Sequence, residues 1–358
     1  MWGLILLGLT VVFFLLTLLP ALWEWYVKRD VEPLHIIQTH EGNIRYFAEQ
    51  FRGFIANELQ AFASHGGTAE SREHYCVIDA KSEFRPHQEE VSRRVTQRLV
   101  LALGGLALPD NFTFTRELYG QGTIVSGKHN RFRAVLAERD LLLGSNSVVW
   151  SWMHAQRVYG APDCLIFGRL SAEKEIVLEP GCHFTRVHAP RVQFGSEVLP
   201  RWDEEAQGHT LGNRPEAMGQ VPGAELDSTG RWIVDGHLEF PAYGVFYGDI
   251  VVYGNLTIRH GAEIHGSVKA RGTLRLESAV TVRGALISGT DLMIGTACTV
   301  CGPLMAEHRV DIDAGVVVGT LEKLTTVTAP HIHITSGVTV HGTVWAREQG
   351  MTRKALQG

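Results

Sequence analysis

The stretch from Gly248 to Gly272, GDIVVYGNLTIRHGAEIHGSVKARG, decides the fold. Its apolar residues stand in pairs two positions apart, Ile250/Val252, Leu256/Ile258, Ala262/Ile264 and Val268/Ala270, and the pairs recur every six residues. Polar residues sit inside them: Thr257, Glu263, Lys269. Alternation of period two marks a short strand with one buried face, and a step of six leaves room for a corner after each strand. An amphipathic helix would instead repeat its apolar residues at three and four.

Working outward, the same pairs run from Trp232/Val234 to Val316/Val318, and only Gly244 and Ser288 break the apolar set. Glycines recur 18 residues apart at Gly230, Gly248, Gly266, Gly284 and Gly302, and again six residues on at Gly236, Gly254 and Gly272. A third series, Ala242, His260, Ser278, Thr296 and Ala314, follows six after that. Three corner series at one period describe a coil with three sides, a triangular β-helix with 18-residue coils. The corner glycines are expected to supply positive φ. Beyond Val318, the segment Leu321–Leu324 shifts the register by about four residues before Ile332/Ile334, Val338/Val340 and Val344/Ala346. Upstream, Cys164/Ile166, Leu170/Ala172, Ile176/Leu178 and Cys182/Phe184 keep the six-residue step.

The rest of the chain divides around these blocks. Trp2–Trp23 carries no charged residue and is long enough to cross a bilayer core. Trp23, Trp25 and Tyr26 form an interfacial belt, and Lys28 and Arg29 after it place the bulk of the protein in the cytoplasm. Apolar spacing predicts a helix over Leu34–Ser64, a short strand over Tyr75–Asp79 and a second helix over Pro86–Leu103. These elements are expected to cap the first coil, whose strand edges would otherwise be open. The expected organisation is an anchor over 1–27, a helical connector over 28–110, a first β-helix block over 111–196, an insertion over 197–229, a second block over 230–348 and a tail over 349–358.

Composition excludes some functions. The net charge of −5 and the absence of a long basic run leave nucleic acid without an electrostatic footprint. Five cysteines include one Cys298/Cys301 pair, whose spacing the corner at Gly302 explains equally well. Among seventeen histidines, His331 and His333 project together from one strand and are the candidate metal ligands, but a third ligand must come from elsewhere. No string of residues assembles a nucleophile, a base and an orienting group, so neither a catalytic site nor a cofactor is expected.

The repeats over Gly248–Val318, in stretches such as Gly248–Gly272 and Leu274–Gly289 (LRLESAVTVRGALISG), with the less regular Cys164–Phe194, resemble the bactofilins, bacterial polymer-forming cytoskeletal proteins. The resemblance implies a right-handed triangular β-helix that associates end to end without nucleotide beneath the membrane and scaffolds envelope or cell-shape machinery. It makes this chain a scaffold of the inner membrane with its C-terminal domain in the cytoplasm. The implied partners are a second copy, the bilayer through residues 2–23 and an envelope-associated client. The full apolar span, the helical connector and the split β-helix depart from a small bactofilin. The last coil, with Val338, Val340 and Val344 facing inward and a polar tail after it, is the expected self-association end. The alternative is a hexapeptide-repeat acyltransferase, whose β-helix has the opposite, left hand. Against it, the inward residues Val268, Leu274, Leu286 and Leu292 are bulky where that family has small ones. An uncleaved anchor predicts that a reporter active only outside the cytoplasm stays silent when fused after Gly358; a shorter, soluble mature protein overturns the anchor.

Overall fold

The computed structural model describes residues 2, 3, 5–10, 15, 18, 43–64, 75–78, 84–195, 223–228 and 230–355. Met1–Asn43 form one unit and Ile44–Gly358 another. In the first, the described residues between 2 and 18 are helical, and Trp2, Ile5, Leu6, Leu7, Leu9, Leu15 and Leu18 are exposed. Among the described residues no helix is long and apolar enough to cross a membrane. Most of the second half of the expected span, its aromatic belt, and Lys28 and Arg29 lie outside them.

The second unit is mostly β, a solenoid of about 13 turns. In its second block each short strand pairs in parallel with the third strand after it. Trp232–Val234 lies beside Ile250–Val252, Leu238–Phe240 beside Leu256–Ile258, and Val245–Tyr247 beside Glu263–His265. Partners are 18 residues apart, as in Leu256↔Leu274↔Leu292↔Val310. The interruption near Leu321–Leu324 lengthens the step to 22, in Val310↔Ile332 and Val318↔Val340. The alternating side chains fill one lumen: Val252, Ile258, Ile264 and Ala270 are fully buried. Each fully buried aliphatic side chain contributes roughly 1.5–3 kcal/mol. Ser288, the polar exception in the lumen, satisfies its hydroxyl by donating to the carbonyls of Gly272 at 2.8 Å and Asp291 at 2.9 Å. Cys298 is buried there too, and desolvation pushes its thiol pKa up to about 12.

The first block begins earlier than position 111. The helix expected over Pro86–Leu103 is only α2, Gln88–Arg93, and strands follow at Val95–Thr96, Leu99–Ala102 and Leu106–Ala107. Arg94 ends α2 in a left-handed conformation and the chain enters the coils at once. Val91, Val95 and Leu99 therefore do not share an inward helical face: Val91 is exposed, and Leu99 opens a strand. The helix expected over Leu34–Ser64 is α1, Tyr46–Ser64; Asn43–Arg45 before it are not helical and residues 34–42 lie outside the described residues, while a strand at Tyr75–Ile78 falls where it was expected.

The corners revise the glycine argument. Gly230, Gly236 and Gly248 have the expected positive φ, at 80°, 90° and 134°, but Gly254, Gly266, Gly272, Gly284 and Gly302 are not left-handed. They are required by close approach: a Cβ on Gly266 would lie 1.9 Å from the Gly248 carbonyl oxygen, and one on Gly284 2.3 Å from that of Gly266. In every coil of this block the third corner also turns through a left-handed residue, at Tyr243, Gly261, Ala279, Ala297 and Gly315. The first block repeats this with Arg94, Asn111, His129, Asn146, Asp163 and Gly181. Asn and Asp tolerate that conformation better than most residues.

The two blocks meet end to end. Strand His183–Phe194, the last of the first block, pairs antiparallel with Val338–Arg353, the last of the second. One lumen column therefore crosses the whole unit: Leu106, Ile124, Leu141, Val158, Ile176, Val192, then Val340, Val318, Val300, Val282, Ile264 and Phe246. None is more than 3 % exposed. The second block thus starts at the far end and grows back toward the first. On one side of the solenoid, strand His183–Phe194 at the junction and strand Ala224–Leu226 beyond the far coil are separated by eight strand spacings, from Val187 to Leu226, of about 4.8 Å each, or about 38 Å. Residues 196–222, extended, reach up to about 90 Å. Direction of travel and strand direction both reverse at the seam, so the two blocks share one hand.

A side chain at a close-approach corner should be costly whatever its backbone preference. Gly266→Ala and Gly266→Val are expected to lower stability by about 1–3 kcal/mol in urea unfolding, with His265→Ala costing clearly less. Equal losses at the two positions would contradict the packing reason.

Candidate functional site: the two ends of the solenoid

The end expected to be open is closed. Val338, Val340 and Val344 pair with Phe194, Val192 and Val187, and all three valines are fully buried. The expected tail continues as strand to Arg353, with Gly350 and Met351 opposite Phe184 and His183. Gly350 is needed there, because a Cβ would lie 2.2 Å from the Phe184 ring. The sequence-based assignment of a self-association end to these valines is therefore corrected: the polar tail makes no lid, but the first block does.

At the N-terminal end of the solenoid, strand Tyr75–Ile78 pairs with Leu99–Ala102, while Val95–Thr96 and Leu106–Ala107 each pair on one side only among the described residues. Phe84 packs on Phe112 and Phe114 with ring centroids 5.6 Å apart, and Phe114 stacks on Phe132 at 5.2 Å. α2 is tied to the first coil by Glu90, whose Oε1 accepts from Arg98 Nε at 2.9 Å and Thr96 Oγ1 at 2.7 Å. Burial alone would raise the Glu90 pKa. The hydrogen bonds from Arg98, Thr96 and the His87 N–H outweigh it and hold the carboxyl below its ordinary value.

The remaining end is the far coil, Trp232–Tyr247. Its lumen is plugged by aromatic rings: Trp232 lies 6.2 Å from Phe246, and Phe246 lies 6.3 Å from Phe240. Strand Ala224–Leu226 covers Trp232–Val234. Leu238–Phe240 and Val245–Tyr247 each pair on one side only among the described residues. The Leu238 N–H donates inward to Asn255, and Phe240 accepts inward from Arg259, so the intervening Glu239 amide faces the free edge. Leu226, Tyr243 and Tyr247 are exposed around it.

The other expected site residues are placed as follows. His333 Nδ1 lies 2.8 Å from Asp311 Oδ1, and His331 Nε2 lies 3.1 Å from Glu348 Oε2. Each imidazole has its own carboxylate partner. Among the described residues no group of three His, Cys, Asp or Glu side chains is arranged to hold a metal ion.

One constellation escaped the sequence reading. His154 Nδ1 is 2.8 Å from Ser171 Oγ and its Nε2 is 3.1 Å from Glu173 Oε1. Glu173 also pairs with Arg45 at 2.7 Å, and Arg52 with Glu138 at 2.9 Å. Serine, imidazole and carboxylate in contact are the parts of a nucleophilic triad. Here Ser171 and His154 are each 1 % exposed, so no substrate reaches the hydroxyl. Burial lowers the His154 pKa, opposed by the Glu173 charge. The network clips α1 to the outer face of the first block, where Ala48 and Ile55 pack with Leu101, Tyr119, Leu136 and Trp152. Its legible signal was the apolar outward residues, such as Leu101 and Leu136, which a solvated face would not carry.

No protein-family model, curated protein or solved structure matches the chain.

Because Val340 lies inside the seam, Val340→Arg buries an unpaired guanidinium and is expected to cost several kcal/mol. Thermal unfolding should show loss of the folded state. A well-folded variant of merely smaller assembly size would restore an open interface at these valines.

Proposed function

We propose that the chain is a membrane-anchored, bactofilin-like scaffold that associates through the free end of its solenoid and positions envelope or cell-shape machinery at the cytoplasmic face of the membrane. The observation that carries this reading is the far coil. Two of its strands present an unpaired edge among the described residues, with Leu226, Tyr243 and Tyr247 exposed around it, while strand pairing between the blocks closes the lumen at the seam. An exposed strand edge is a template for pairing with another chain. The seam inside the chain supports the same view, since two coils of this kind already join there by antiparallel pairing. Exposed leucines, an isoleucine and a tryptophan on the first unit favour an apolar environment for it, consistent with an anchor. The right hand and triangular section of the bactofilin coil belong to this proposal.

The runner-up, a hexapeptide-repeat acyltransferase, requires a reachable acid–base residue. The buried His154 does not supply one, and the inward residues Val268, Leu274, Leu286 and Leu292 are bulky where that family has small ones.

Proline is tolerated on a strand edge and removes the outward N–H. Glu239→Pro is therefore expected to convert the assembly of the purified chain to a smaller species by light scattering, with β-rich circular dichroism retained. An unchanged size with a folded variant rules out association through this edge.

A further inference from the structure

We infer that the seam between the two blocks carries a binding cleft for a neutral saccharide. At one corner of the first block, Trp150 and Phe167 stack on successive coils, with centroids 5.1 Å apart and planes 18° from parallel. Both remain exposed, at 57 % and 48 %. The next coil carries Thr185 at this place, and its hydroxyl is turned back to donate to the carbonyls of Phe167 at 3.0 Å and Gly168 at 2.9 Å. The aromatic ladder stops there. On the far side of the seam the last strand irregularly skips residues 346–349, between Trp345 opposite Arg186 and Gly350 opposite Phe184. These two local features leave a cleft of about 430 Å³ beside Phe167, walled by His183, Thr185, His331, Glu348 and Gln349.

The chemistry of the walls selects the ligand. The cleft volume falls within the range of sites for small ligands. Phe167 offers an aromatic face, against which the C–H face of a pyranose packs. Around it stand a carboxylate, a carboxamide and two imidazoles, which together accept and donate to hydroxyl groups. They are already oriented: Glu348 by His331 at 3.1 Å, and Gln349 Nε2 by His183 Nδ1 at 2.9 Å. No lysine or arginine among the described residues lines the cleft, and Glu348 would repel an anion, so a nucleotide phosphate or a sulfated sugar is disfavoured. A purely apolar ligand would leave the polar walls unpaired. This site is separate from the free end of the solenoid and stands whether or not the chain self-associates.

The test is calorimetric titration of the full-length chain, in a detergent without a sugar headgroup, with maltotetraose, cellotetraose and chitotetraose in turn and with ADP as the anionic control. Saturable binding of at least one tetrasaccharide is expected. Phe167→Ala and Glu348→Gln should each weaken it about tenfold or more, equivalent to about 1.4 kcal/mol, while the thermal midpoint of the exposed Glu348→Gln variant stays unchanged. The inference is overturned if none of the three sugars saturates, if ADP binds and the sugars do not, or if folded Glu348→Gln binds as tightly as the parent chain.

Discussion

Everything in this solenoid depends on the backbone hydrogen bonds between coils, which hold neighbouring strands about 4.8 Å apart. That spacing gives each lumen position one side chain above it and one below. A column such as Ile264, Val282, Val300 and Val318 is the consequence. The same spacing governs the corners. Where the chain turns with its Cβ directed at the preceding coil, no side chain fits, and Gly266 and Gly284 follow from steric exclusion. Where it turns through a left-handed residue, as at Gly181 and Gly315, a Cβ stays at least 3.3 Å from the backbone of the preceding coil, and other coils carry Tyr243, Ala279 or Asn146 there.

A stack of coils has two ends, and each end leaves lumen side chains covered on one side only. This chain reduces the problem by turning its second block back onto its first. The two ends that meet at the seam cover one another, Val192 against Val340 and Phe194 against Val338. The two that remain are plugged with rings, Phe84 and Phe112 at one and Phe240 and Phe246 at the other. Each has a strand over only one of its three sides among the described residues, Tyr75–Ile78 over Leu99–Ala102 at the first and Ala224–Leu226 over Trp232–Val234 at the far coil. They differ in what stands beside those edges: α2, tied to Thr96 and Arg98 through Glu90, at the first, and the exposed Leu226, Tyr243 and Tyr247 at the far coil. Exposed backbone donors with apolar side chains around them make the far coil the docking edge of the proposed scaffold.

The candidate sites were legible to different degrees. The lumen residues were readable one by one, since a period of two with a step of six has no helical counterpart. The placement of His331 and His333 beside Ile332 on one strand was also readable; their carboxylate partners Glu348 and Asp311 were not, because these come from neighbouring coils. The cleft beside Phe167 and the His154 network were invisible for the same reason. His154 and Ser171 are a full coil apart in sequence, and the aromatic pair Trp150/Phe167 has a 17-residue offset that fits neither regular series. The first block was read as starting late because Val91, Val95 and Leu99 match a helical face by chance, while the left-handed positions Arg94, Asn111, His129, Asn146 and Asp163 were the periodic signal left unread.

The sequence by itself determined the coil: which residues enter the lumen, where the corners fall, and where the register slips by four before Ile332. These are local properties, set by side-chain alternation and by the room available at a turn. Only the tertiary structure decided how the two blocks are joined. A lumen lined by valine, leucine and isoleucine accepts a parallel or an antiparallel neighbour equally well, since paired residues present the same face in either case. Nothing in the pattern of Val338, Val340 and Val344 says whether the next layer belongs to another chain, to a cap, or to strand His183–Phe194 of their own. The fit of Phe184 over Gly350, and the length of chain available to reach the far end, settle that choice in space.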